Sequence, residues 1–140
     1  MFNNQIATTM TKAKANLNRE GLEVHMGNDD IVIVRCLADI PGGRTLDVSN
    51  LPAGTKVVQA GHIIIKDGEN WKPMPVNTKG DGYASAPSGS TYVGVLKMTV
   101  TTEDPRAAIM TQGQVNAAAS PYPVTTAIKN ALPRIEFLYD

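Results

Sequence analysis

Little in this 140-residue chain advertises chemistry. It has one cysteine, Cys36, so no disulfide can close within it. His25 and His62 are the only histidines, and neither has a His or Cys partner at a metal-ligand spacing. Only 19% of residues are charged, thirteen basic against thirteen acidic, so no overall field draws in nucleic acid or anionic lipid. No apolar run approaches membrane-spanning length, and Met1 to Leu17 lacks the continuous apolar core of a secretory signal. The free thiol and the missing signal fit synthesis in a reducing cytoplasm. Aromatic residues make up only 5%. Glycine and proline are frequent instead, 12 and 9, which favours short strands and many turns over a helical bundle.

At the start, Phe2, Ile6, Met10, Ala13 and Leu17 fall on one narrow helical stripe. The intervening Asn3, Asn4, Thr8, Thr9, Thr11 and Asn16 are indifferent helix formers, and Gly21 is a plausible stop. Such a helix is marginal alone in water, so the stripe needs a surface. That surface is either this chain's own core or a partner.

From there the pattern changes to strands. Ile31 to Leu37 reads as a buried strand that makes Cys36 an inert core thiol. Thr45 to Val48 is a short strand between the turns Ile40 to Arg44 and Leu51 to Thr55. Lys56 to Gln59 and His62 to Lys66 flank a bend at Ala60-Gly61. Asp67-Gly68 is a tight-turn signal leading into Trp71, which anchors a hairpin. Residues 77–90 are a polar, exposed loop whose bulky contact residue is Tyr83. Tyr92 to Val100 and Ala107 to Thr111 are strands, the second ending in a glycine-marked turn at Gly113. A helix follows Pro123, capped by Thr125 or Thr126, with Val124, Ile128 and Leu132 on one face and Pro133 as its stop. Ile135 to Tyr139 is a final strand. The expected class is mostly β, a compact barrel- or tulip-like domain over 31–140 preceded by an N-terminal arm or amphipathic helix over 1–30.

Candidate catalytic groups are few. Asp29-Asp30 and Glu103-Asp104 are adjacent carboxylates of solvated turns, whereas acid–base pairs converge across a cleft. Neither offers the spaced oxygen ligands of a calcium loop. The glycines from Gly80 to Gly89 lack the Gly-Lys-Ser/Thr of a phosphate loop. Lys12, Lys14 and Arg19 make only a weakly basic face. No cofactor, metal or nucleic-acid site is expected, and no enzyme activity.

Four motifs do carry a resemblance, in order, over roughly the half of the chain from Gly54 to Ala119. They are Ala60-Gly61-His62-Ile63-Ile64-Ile65, Asp67-Gly68 with Trp71-Lys72-Pro73, Tyr92-Val93-Gly94-Val95-Leu96, and Ala107 to Asn116 closing on Gly113-Gln114-Val115-Asn116-Ala117. Together they resemble the phage head decoration proteins of the lambda type. The longer N-terminal segment and the tail from Pro121-Tyr122-Pro123 depart from that type and look closer to decoration and head-fibre proteins of phages of gut Bacteroidales, including crAss-like phages. The resemblance implies a homotrimer on the outer surface of the virion, bound to the major capsid protein and clamping adjacent subunits, with a head-fibre protein as a further partner. It implies no membrane contact. In that family an N-terminal arm often docks on the shell. Phe2, Ile6, Met10, Ala13 and Leu17 are the capsid-binding candidates here, from their stripe alone, and strand-like or helical docking both remain open. The alternative is a head-fibre base or a glycan- or receptor-binding module, with Trp71, Tyr83 and Tyr122 as aromatic platforms.

Overall fold

A computed structural model describes residues 27–139. The N-terminal stripe and the basic face of Lys12, Lys14 and Arg19 lie outside them. The described elements are α1 (Asp29–Val32), β1 (Ile33–Asp39), β2 (Arg44–Thr45), β3 (Val57–Val58), β4 (Ile63–Asp67), β5 (Asn70–Pro73), β6 (Thr91–Leu96), β7 (Val100–Thr101), β8 (Arg106–Ala107) and β9 (Ile109–Asn116). A 3₁₀ turn (Ala117–Ala119), α2 (Thr126–Ala131) and β10 (Ile135–Leu138) complete the order. The mostly-β class with one short C-terminal helix holds. The sheet, however, does not close into a barrel. Six strands form it, in the order β1-β9-β6-β4-β5, with β10 also on β9, while β2–β8 and β3–β7 are two-stranded ribbons.

Strand β9 organises the sheet. On one side it pairs antiparallel with β1; on the other it meets β6 through Val95↔Met110 and Leu96↔Ile109, then β10 in parallel from Gly113 to Asn116. Gly113 is therefore not in a turn. It lies within β9 because β1 passes so close there that a Cβ would collide with the Arg35 carbonyl oxygen. Gly94 plays the same role on β6, where a Cβ would run into the carbonyl oxygen of Met110.

Side-chain alternation splits the core in two. Ile63, Ile65, Val95, Met110 and Val115 face α2, where Val124, Ile128 and Leu132 are buried as the helical spacing predicts. Ile64, Leu96 and Ile109 face the other way, onto Leu46, Val58 and Ala107. Strand β4 is covered on both faces, and all three of its isoleucines are 0% exposed. The Thr125 side chain accepts from the Ile128 N–H at 3.3 Å and starts α2. Asp67 and Asn70 close the β4–β5 hairpin over Gly68-Glu69, with Gly68 at φ 63° in the position that favours glycine.

Further sequence expectations change. The strand read at Ile31 to Leu37 starts at Ile33, since Ile31 and Val32 complete the single turn of α1, and it runs to Asp39. It is also largely exposed rather than buried, because among the described residues it is the edge of the sheet. Tyr92 to Val100 is two strands, β6 and β7, that serve different sheets.

Candidate functional site

The chain enters β1 through a firmly held root. The Asn28 side-chain amide donates to the Ala119 carbonyl at 3.1 Å. The Asp29 carboxylate accepts from the Thr99 N–H at 2.8 Å and from its hydroxyl at 2.5 Å. The Thr99 hydroxyl in turn accepts from the Ala60 N–H at 3.1 Å. Val32 is fully buried and packs against Gly61, where φ is 95° and a Cβ would strike the valine methyl. Two side chains seventy and ninety-one positions from their partners thus fix the direction in which the chain arrives.

Beyond this root, β1 is an edge. Among the described residues only β9 pairs with it, and the pairing is irregular. Ile33 and Arg35 oppose the neighbours Val115 and Gln114, and Cys36 and Ala38 oppose Gly113 and Gln112, so Val34 and Leu37 are extra residues at two bulges. These bulged residues are 51% and 55% exposed, and Ile31 just before the strand is 55% exposed. Bulges guard an edge against indiscriminate strand pairing. Here they also turn large apolar side chains outward. Lys97 reaches the far end of β1, its Nζ 3.1 Å from the Asp39 carboxylate, which holds the lysine above its ordinary pKa.

The other singled-out residues are distributed elsewhere. Cys36 is exposed on β1, not in the core. His62 is buried: its Nε2 lies 2.8 Å from the Met74 carbonyl, and desolvation pushes its pKa down to about 4 against the raising effect of that bond. Tyr83 is not the exposed contact of its loop. Its hydroxyl accepts from the Ile63 N–H at 3.1 Å, and burial drives the phenol well above its ordinary pKa. His62, Tyr83 and Tyr122 meet edge to face, with ring centroids 5.2 to 5.6 Å apart. Trp71 packs on the opposite side of the sheet, against the Leu46 cluster, with Lys66 Nζ 4.8 Å and Arg44 Cζ 5.3 Å from its ring centre. Trp71 and the tyrosines therefore form no common platform. Asp29 serves the root, and Asp104 forms a two-point ion pair with Arg106 at 2.8 Å. Among the described residues no three His, Cys, Asp or Glu side chains cluster as metal ligands, and no helix is long and apolar enough to cross a membrane.

No family model, curated protein or solved structure matches this chain. Its site is therefore read from its own geometry, and the exposed edge β1 with its fixed root stands out. Sequence periodicity missed it because an edge strand and a core strand share the same β-branched composition. The signals that were present are the charges interleaved with that composition, Arg35 and Asp39, and the polar Asn28-Asp29 pair before it.

Proposed function

We propose that this chain is an auxiliary structural protein, not an enzyme, that docks on the outer surface of a phage head and clamps adjacent capsid subunits. The observation that carries this reading is the edge β1 and the turn that leads into it, where Ile31, Val34 and Leu37 are each more than half exposed within seven residues. Clustered exposed apolar side chains mark interaction surfaces. Covering them contributes on the order of 1 kcal/mol each, too little for one copy to stay bound. A homotrimer makes up the difference, because the second and third contacts form at high effective concentration. In this reading Phe2, Ile6, Met10, Ala13 and Leu17 add the second contact. The partner is the major capsid protein, the location is the outside of the virion, and a head-fibre protein is a further partner above it.

Co-sedimentation with expanded and unexpanded heads tests the proposal. The expected result is saturable binding to expanded heads, in groups of three per site. The double variant Val34→Asp/Leu37→Asp binds at least about tenfold more weakly. Removal of residues 1–20 abolishes binding while residues 27–139 stay folded. Absence of binding to either form overturns the reading, and unchanged binding by the double variant removes β1 from it.

A further inference from the structure

The ring cluster borders a second feature that the capsid reading does not use. The loop around Pro52, the bend before β4 and the Pro121-Tyr122 step enclose a cleft of about 360 Å³. Its walls mix polar and apolar surface, and Thr55, Gln59, His62 and Tyr122 are the lining residues with polar side-chain groups. None of its lining residues is an Asp, Glu, Lys or Arg. A larger hollow of about 530 Å³ lies between Arg44 and Arg106, but the β2–β8 register turns these side chains to opposite faces of the ribbon. Arg44 is also bonded to the carbonyls of Pro41 and Gly43, and Arg106 is paired with Asp104. That hollow is no convergent anion site.

In the smaller cleft the chemistry is specific. The Met74 carbonyl can only accept, so the His62 Nε2 facing it carries the proton. The imidazole is neutral near pH 7, and Nδ1 is therefore a lone-pair acceptor. None of the described residues donates to it. The half-buried Gln59 side-chain amide likewise makes no hydrogen bond to the described residues, leaving a donor and an acceptor to spare. The Thr55 hydroxyl is already given to the Pro52 carbonyl at 2.6 Å. An acceptor that gives up water without gaining a donor is unfavourable, so a ligand that fills this cleft has to bring hydrogen-bonding groups of its own.

We propose that this cleft binds an uncharged, hydroxyl-bearing ring, a neutral sugar residue at the end of a glycan. Such a ring offers hydroxyl donors to His62 and Gln59 and a C–H face to Tyr122 and the flanking prolines. Carboxylated or phosphorylated sugars lack a cation to meet them there. A purely apolar ring leaves the acceptor and the amide unpaired. The inference is independent of capsid docking, since the cleft and β1 share no residue.

The test is an NMR titration of the full chain with glucose, galactose, mannose and N-acetylglucosamine, with glucuronate, glucose 6-phosphate and phenol as comparisons. The expected outcome is saturable shifts of the His62, Gln59 and Tyr122 signals with at least one neutral sugar. The charged sugars bind more weakly, and Gln59→Ala weakens the neutral sugar about fivefold or more with the thermal midpoint unchanged. No saturable shift with any neutral sugar means that the cleft holds water only and overturns the proposal. So does equal binding by Gln59→Ala, or saturation by phenol alone. Head co-sedimentation is unaffected by Gln59→Ala, so failure here and failure of the capsid reading are separate results.

Discussion

Strands β1 and β4 begin from nearly the same material and end in opposite states. Ile31-Val32-Ile33-Val34 leads into one, and Ile63-Ile64-Ile65 makes the other. Strand β4 lies between β5 and β6 with both faces covered, and its isoleucines see no solvent. Among the described residues strand β1 has a neighbour on one side only, two bulges in seven residues, and apolar side chains turned outward. Composition sets the preference for extended backbone, but neighbours decide what the side chains do. One strand holds the molecule together, and the other is available for contact.

The largest test of this contrast is a matched pair of substitutions. Ile64→Ala leaves a cavity in the cluster around Leu46 and Val58 and lowers stability by about 2–5 kcal/mol in urea unfolding. Val34→Ser alters a half-exposed side chain and changes stability by no more than about 0.5 kcal/mol. A loss above about 1 kcal/mol for Val34→Ser breaks the contrast.

A second test uses His62, which leads directly into β4. Its folded pKa of about 4 lies below the ordinary 6.5, so the unfolded chain takes up a proton that the folded chain refuses. Its contribution is complete above about pH 6.5 and is lost as pH falls toward about 4, reaching about 3 kcal/mol. Denaturation midpoints across this window should fall for the parent, and the slope should flatten in His62→Phe. An equal slope in both assigns the effect to other groups.

The smallest effect separates the strands most directly. Gly113→Ala sets a methyl group against the Arg35 carbonyl and the Met110 sulfur, so β1 must move outward. A loss of about 1–3 kcal/mol follows. Hydrogen exchange should quicken at Arg35 and Cys36 while Ile63 to Ile65 keep their protection. Uniform quickening would mean that β1 and β4 open together.

Much of this was legible from the sequence. The Asp67-Gly68 hairpin, the helix from Thr126 with Val124, Ile128 and Leu132 buried in and beside it, and the final strand follow from local signals: a turn residue, a cap and a periodicity. What was hidden depends on partners far along the chain. Tyr83 sits in a polar loop, and only the distant Ile63 N–H draws its hydroxyl inward. Gly113 resembles a turn residue until β1 is placed against it. Asp29 looks like a solvated carboxylate until Thr99, seventy positions away, meets it. The exposed side of β1 is hidden for the same reason, since a β-branched run does not state how many neighbours it has.

The parallel pairing of β10 with β9 bears on how the molecule is made. Strand β10 leaves the ribosome after every other described element, and it returns to β9 only after the 3₁₀ turn and α2 have crossed over. Until then the Gly113–Asn116 flank of β9 is an open ladder that another extended chain could fill. The speed with which the last strand arrives therefore sets how long each new molecule is exposed to mispairing with its neighbours.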